Sequence, residues 1–416
     1  MIEEDGVPGA ARWRRTTLGE LCAGDGGGIQ TGPFGSQLHA SDYVETGIPS
    51  VMPQNIGDNT IIEEGIARIT SEDAIRLEKY RLRDGDIVYA RRGDVGKRSL
   101  VRVQNDGWLC GTGCLRVRVP SQIENDPAFL SYLLGTSEAR DWIVRHAVGA
   151  TMPNLNTSIL GAVPLRVPQI KVQLAIAEVL GALDDKIAAN RGVAEVGEEL
   201  LVAHFDQLGL DGEDPDGLVP ITTLIEVNPL VPRPVEAEPV YVDMQALPTN
   251  GMSISSWSSR PPKGGARFQN GDTLLARITP CLENRKTGFV DFLAEGQVGL
   301  GSTEYVVMRT RNGVPPVLSY FLAVSERFRT FAIRHMVGTS GRQRVGAEVL
   351  REYEIRLPGR EELERFGALS ERIASMVASV RTENQLLAET RDVLLPELMS
   401  GRLSVKDAEK QVESVV

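Results

Sequence analysis

Reactive and metal-binding side chains are scarce in this chain. Its 416 residues include four cysteines and four histidines, and aromatic residues make up 5%. Cys22, Cys110, Cys114 and Cys281 are too few and too scattered for a disulfide framework, so they read as reduced thiols. Cys110 and Cys114 lie close together, but no second ligand pair is near, which argues against zinc. No apolar run approaches the roughly 20 residues that a membrane-spanning helix needs. The opening MIEEDGVPGAARWRR has no apolar signal core, so a cytoplasmic protein without membrane contact is expected.

Catalytic signatures are missing as well. GDGGG at 24–28 lacks the Gly-Lys-Ser/Thr ending of a phosphate loop and reads as a flexible turn. Asp184, Asp185 and Lys186 imitate part of a nuclease site, but no partnered acid precedes them, and a solvated helix face is expected. Asn228-Pro229-Leu230-Val231 is not the Asn-Pro-Pro-aromatic loop with which amino-methyltransferases hold a flipped base. Neither a nucleophile elbow nor an HExxH or Rossmann pattern occurs. No catalytic residue and no metal site are expected.

What is present is a chain long enough for two or three domains, with 42% hydrophobic and 24% charged residues. The net charge of -11 hides a segregation. Residues 75–102 carry nine lysines and arginines against four acids, whereas 169–216 carry three against eleven. Basic segments therefore sit inside an acidic protein.

The sequence is also written twice, with a period near 190 residues. RRTTLGEL (14–21) returns as PITTLIEV (220–227), and GDIVYAR (85–91) as GDTLLAR (271–277). LSYLLGTSEARDWIVRHAVGAT (130–151) returns as LSYFLAVSERFRTFAIRHMVGTS (318–340), and GAVPLRVP (161–168) as REYEIRLP (351–358). Each copy begins with short strand-like runs such as IVYARRG, SLVRVQ, CLRVRVP, TLLARI and TEYVVMR, and helical spacing follows at 127–147 and 315–336. Two similar compact α+β domains are expected.

After Pro168 and Pro358 the pattern changes to heptads. In the first stretch Ile176, Leu180, Leu183, Ile187, Asn190, Ala194, Gly197, Leu201, His204 and Leu208 recur at spacings of four and three. Phe366, Leu369, Ile373, Met376, Val380, Glu383, Leu387, Thr390 and Leu394 do so in the second. Two helices packed on separate cores would satisfy this pattern. Similar helices closing similar domains favour an antiparallel coiled coil. The expected order is a domain at 12–168, a long helix at 169–208, an acidic linker at 209–217, a domain at 218–358, a long helix at 359–402 and a tail at 403–416.

Polar and basic residues on turn-rich segments remain. The first copy offers Thr31, Ser36, Gln37 and His39 in TGPFGSQLHASDY, Gln54 and Asn55 in MPQN, and Arg91, Arg92, Lys97 and Arg98 in ARRGDVGKR. The second offers Arg277, Thr279, Asn284, Arg285 and Lys286 in ARITPCLENRKTG, Ser302, Thr303 and Glu304 in GSTE, and Ser340, Arg342, Gln343 and Arg344 in TSGRQR. Arg and Lys neutralise phosphates or read guanine, and Asn and Gln pair with adenine, so these are candidate contacts to DNA. Solvated loops of no special purpose are the bland alternative.

TGPFGSQL with MPQNI, ARITPCLENRKTGFV with GLGSTEYVVMR, GTSGRQRV and the ending LLPELMSGRL resemble the specificity (S) subunit of type I restriction-modification systems. The resemblance runs over nearly the whole chain. It implies an α+β fold of two pseudo-repeated target recognition domains, each reading one half of a split double-stranded DNA site, joined by two long helices that form an antiparallel coiled coil. It also implies a non-catalytic chain that docks two methyltransferase subunits and, where a restriction enzyme is assembled, two motor-nuclease subunits. S-adenosylmethionine would be bound by the methyltransferase subunits, leaving this chain without a cofactor. A specificity subunit of a methylation-only or other phage-defence system is the alternative within that family. The chain departs from the family's habits in QIKVQLAIA after Pro168, in GREELERFG after Pro358, and in ENRK for the more usual ENGK.

Overall fold

The apolar runs of each sequence copy form strands because their alternating side chains can be buried on both faces of a small sheet. In the computed structural model, residues 13–120, 124–149, 153–210, 217–339 and 341–413 are described. The chain divides into two compact units, one of residues 1–187 with 385–416 and one of residues 188–384. The architecture is mixed α+β, with two sheet-rich lobes and two long helices that pack together.

In the first unit a five-stranded sheet runs in the order Gly28–Thr31, Cys114–Arg118, Ile87–Ala90, Arg98–Leu100 and Asp58–Asn59. A four-stranded sheet is made of Tyr43–Val44, Ala67–Ile69, Ile48–Val51 and Leu109–Cys110. Arg14–Thr17 pairs with Pro164–Val167, closing the lobe where the chain enters and leaves it. The helical segment expected at 127–147 is two helices, Pro127–Leu134 and Ser137–His146. Thr136 breaks it, because its side chain accepts a hydrogen bond from the Ala139 amide and starts a new helix.

The second unit has one four-stranded sheet of Ile225–Val227, Tyr305–Thr310, Asp272–Ala276 and Thr287–Phe289. Another is made of Ser258–Ser259, Val240–Val242, Gly299–Gly301 and Ala266–Phe268. Leu218–Pro220 pairs with Glu354–Arg356. Here Ser325 caps the second of two helices, Leu318–Val324 and Glu326–Arg334, at the Phe328 amide.

The repeated Gly-Asp motif explains itself in both units. Gly85 and Gly271 take positive φ values of 86° and 89°, which glycine adopts without a side-chain clash. The next residue, Asp86 or Asp272, is buried and grips an arginine with both oxygens. Arg118 lies 2.7 and 2.6 Å from Asp86, and Arg309 lies 2.6 and 2.7 Å from Asp272. These bidentate pairs tie neighbouring strands of each central sheet.

The long helices are Ile170–Gln207 and Arg360–Ser400. Within the first unit Ile176, Leu180, Leu183 and Ile187 share one core with Leu387 and Leu394. Within the second, Leu201, Phe205 and Leu208 share a core with Phe366 and Ile373, while Leu369, Met376 and Val380 are half-buried. Asn190 bonds Glu383 and Asn384 at 2.8 and 3.0 Å, and Gly197 faces Ile373 and Met376, so the two helices run in opposite senses there. A further helix, Val405–Glu413, follows in the segment expected as a tail. Most of the expected acidic linker, 211–216, lies outside the described residues.

One expectation about the first long helix is corrected. Asp184 is not on a solvated face: it is buried, accepting hydrogen bonds from Tyr132 Oη at 2.6 Å, Arg391 at 2.8 Å and Asn59 Nδ2 at 3.4 Å. Asp185 is exposed and pairs with Arg102 at 2.8 Å. The buried carboxylate fastens the helix to its lobe, which a helical-wheel reading cannot reveal because the partners come from three distant segments.

Candidate nucleic-acid interface

In the first unit the strand Ile87–Ala90 runs straight into Arg91. The Arg91 amide donates to the Gly113 carbonyl at 2.7 Å, and its carbonyl accepts from the Leu155 amide at 2.8 Å. Its Nε donates to Asn154 Oδ1 at 3.3 Å, and its guanidinium lies 6.0 Å from the centre of the Phe34 ring. Three loops meet at the glycines of CGTGC. A Cβ on Gly32 would lie 2.1 Å from the Gly111 carbonyl oxygen, one on Gly111 would lie 2.6 Å from Met52 Sδ, and one on Gly113 would lie 3.2 Å from the Pro53 ring. Only glycine lets the TGPFGS loop, the MPQN turn and the strand end approach so closely.

These contacts gather several candidates at one edge and remove others. Thr31 ends its strand half-buried, Ser36, His39, Gln54 and Arg92 are exposed, and Lys97 is exposed beside Asp94 at 3.6 Å. Gln37 is a brace, since its side chain accepts from the Phe34 amide at 3.1 Å and from Tyr80 Oη at 2.8 Å. Arg98, by contrast, is 3% exposed, donating to the Ser131 carbonyl and to Asp58 at 2.8 Å. Asn55 is fully buried, with its amide bonded to the Met52 and Ile62 backbone. Arg98 and Asn55 are thus structural residues, because burial has used their polar groups inside the lobe.

The second unit is built alike around Arg277. Its amide donates to the Glu304 carbonyl at 3.0 Å, and its carbonyl accepts from the Val345 amide at 3.0 Å. Here a carboxylate organises the cations: Arg344 approaches both oxygens of Glu304, the shortest contact being 2.7 Å, and Arg277 lies at 3.3 Å. Arg344, chiefly through these hydrogen bonds, and Arg277 hold the Glu304 carboxyl below its usual range. The clamp therefore stays charged as pH falls past the ordinary glutamate value. Arg277 and Thr303 line an open cleft of about 400 Å³ with Asn228, Leu230 and Arg267.

Around that clamp Gln343 accepts the Thr279 amide on its carbonyl at 3.0 Å, and Ser302 Oγ accepts from the Glu304 amide at 3.1 Å. Asn284 and Arg285 are exposed on the turn after Pro280, and Arg342 is exposed on the loop that ends at Arg344. Lys286 is turned inward, donating to the Leu247 and Gln245 carbonyls at 3.0 and 3.3 Å. Ser340 lies outside the described residues. The sequence offers no signal for Asn154, which only the fold brings to Arg91, whereas Phe34 lies within TGPFGSQL beside the candidate polar residues.

Among the described residues no three His, Cys, Asp or Glu side chains are placed to hold a metal. Cys110 and Cys114 are buried, and burial pushes the Cys110 thiol up to about 12 and the Cys114 thiol well above its usual value. No described helix is long and apolar enough to cross a membrane.

The sequence model of the type I restriction modification DNA specificity domain matches residues 17–196, which contain the whole Arg91 cluster. Residues 17–196 thus carry a domain of the type I restriction-modification specificity-subunit family. Among curated members the chain is 25% identical to the type I restriction enzyme EcoAI specificity subunit of Escherichia coli over 213 residues, 49% of this chain and 36% of that one. It is also 25% identical to the EcoEI specificity subunit of the same organism over 203 residues, 47% of this chain and 34% of that one. The chain thus spans about a third of the length of these curated specificity subunits. A crystal structure of the type I restriction-modification system S subunit from M. genitalium shares the fold, with a TM-score of 0.53 at 14% identity over 96% of this chain and 99% of that one.

Proposed function

We propose that this chain is the DNA-recognition subunit of a type I restriction-modification complex, binding a bipartite double-stranded site. The observation that carries the reading is the pair of Arg91 and Arg277 settings: each arginine ends a central strand, bonded the same way to two flanking loops whose residues differ between the units. A shared frame holding unlike loops suits two half-sites of different sequence. The same pairing, with the Gly-Asp motifs, supports taking 12–168 and 218–358 as pseudo-repeated recognition domains. The opposed long helices, 169–208 and 359–402, then serve as an antiparallel coiled-coil spacer.

Exposed Arg92, Lys97, Arg285 and Arg342 meet phosphates, while Thr31, Ser36, His39, Gln54, Thr279, Asn284, Ser302, Thr303 and Gln343 lie among the loops that face the grooves. Glu304 fixes two guanidiniums in one orientation, which favours reading a base edge over loose phosphate contact. The chain is not an enzyme. Methyl transfer belongs to two partner methyltransferase subunits that hold S-adenosylmethionine, and cleavage belongs to motor-nuclease subunits where the system has them. Membrane contact has no place in this reading, and the complex acts in the cytoplasm.

The test is binding by the complex reconstituted with its methyltransferase subunits. R91A/R92A/K97A should weaken binding and flatten the slope of log affinity against log salt by about 2 to 3, since each lost phosphate contact removes about 0.9. An unchanged slope means that these side chains point elsewhere. E304Q should do the reverse: with the clamp loosened, Arg277 and Arg344 are released towards phosphates, so the slope steepens by about 1 to 2. Discrimination at one half-site should fall at the same time. A competition series of duplexes with single mismatches checks it, and full retention of discrimination would remove Glu304 from the reading.

A further inference from the structure

Both units expose one large apolar side chain at the same point of their frame. Phe34 is the third residue beyond the strand that ends at Thr31, and its side chain stands beside Arg91 with 54% of its surface in water. Leu230 is the third residue beyond the strand that ends at Val227, lines the same cleft as Arg277, and is fully exposed. An isolated exposed leucine is ordinary. Here the exposure recurs at one position of the frame, with Phe34 6.0 Å from Arg91 and Leu230 in the cleft that Arg277 lines.

Neither side chain dangles from a loose loop. The Phe34 carbonyl accepts from the Gln37 and Leu38 amides at 2.8 and 3.2 Å, and its amide donates to Gln37, which Tyr80 holds in turn. Leu230 sits between two anchors. Asn228 is bonded to Val307 through its amide at 2.7 Å and its side chain at 2.9 Å, and the Val231 carbonyl accepts from Arg267 at 2.9 Å. Pro229 and Pro232 stiffen the same stretch. Each backbone is therefore ordered in advance while its apolar side chain is left uncovered, the arrangement of a contact prepared for a partner.

We infer that Phe34 and Leu230 are wedges that enter a base step of their respective half-sites. Phe and Leu are side chains that proteins insert between base pairs, partly unstacking them, with cations nearby to hold the phosphates. Arg91 stands 6.0 Å from the Phe34 ring, and Arg267 and Arg277 line the cleft that Leu230 lines, so each wedge has positive charge within reach, which suits DNA. A step opened in this way lowers the cost of extruding a neighbouring base for methylation. The inference rests on the DNA-recognition reading above and adds to it residues that deform the site.

The experiment uses the full complex with its methyltransferase subunits, after the target has been mapped from host methylation. Duplexes carry 2-aminopurine at each position in turn, the methylated adenine excepted, because that base is extruded in any case. One bright step is expected in each half-site. F34A should darken the first and spare the second, L230A should do the opposite, and F34L should retain the signal. Affinity should fall roughly tenfold for F34A, the weight of one stacked ring. Thermal unfolding should be unchanged, since both side chains are exposed.

If the complex discriminates its target and no step brightens, or if the bright steps survive both alanines, the wedges are wrong and the recognition reading stands. Failure of the unaltered complex to discriminate target from scrambled duplex would overturn both. Loss of methyltransferase assembly in F34A or L230A, with discrimination intact wherever assembly persists, would make these side chains protein contacts and overturn the inference as well.

Discussion

Replacing Arg309 with methionine should destabilise the second unit by about 3–5 kcal/mol, the usual cost of stripping the partner from a buried charge. Asp272 is 0% exposed, and besides Arg309 its carboxylate accepts the Gln269 amide at 2.7 Å. Burial pushes its carboxyl above the usual aspartate value, with Arg309 opposing that rise. Without the guanidinium the folded-state value climbs further above the unfolded one, near 3.9. A carboxyl raised in this way takes up a proton on folding in acid, so the deficit should shrink as pH falls from 7 towards about 5. Urea unfolding at the two pH values measures the loss, and hydrogen exchange of strands 272–276 and 305–310 localises it. R118M should likewise destabilise the first unit at neutral pH, where the buried Asp86 would lose its bidentate partner. A deficit independent of pH would show that packing, not the stranded carboxylate, carries the cost. The double variant D272N/R309M should recover part of the loss, because a neutral amide is cheaper to bury than an unpaired charge.

Exchanging residues 218–358 for the matching segment of another specificity subunit should rewrite one half of the methylated sequence and leave the other untouched. The cuts are chosen from the structure: Leu218–Pro220 pairs with Glu354–Arg356, so both closing strands travel together. Arg356 must be kept in the graft, because it donates to the Leu208 and Gly209 carbonyls at the end of the long helix, and its amide donates to the Leu210 carbonyl at 2.9 Å. The wedge at Leu230 and the Glu304 clamp move with the segment, while the Arg91 cluster and its loops stay. Sequencing methylated adenines in a host carrying the chimera reads the result directly. A change in both halves would mean that the two units do not recognise DNA independently.

The apolar periodicities and the internal repeat were legible in the sequence because they are properties of single segments. A strand that buries both faces, a heptad seam and a glycine before a buried aspartate leave their mark within a few residues. The strands around 87–90 and 272–276 and the long helices could be read from such marks. So could the turns that carry Arg91 and Arg277, since ARRGDVGKR and ARITPCLENRKTG announce themselves by charge and turn residues.

The partner of each polar side chain was decided by the tertiary structure, since hydrogen bonds and burial join segments far apart in the chain. Arg98 and Arg92 look equivalent in ARRGDVGKR. One is enclosed by Asp58 and Ser131 from elsewhere in its lobe and the other faces water. Asp184 reads as a surface acid until Tyr132, Asn59 and Arg391 close over it, and Asn55 reads as a base reader until its amide is used on the backbone. Phe34 and Leu230 show the converse. They are apolar, yet the fold leaves them exposed, because hydrogen bonds clamp their backbones on the loops that carry the arginine settings.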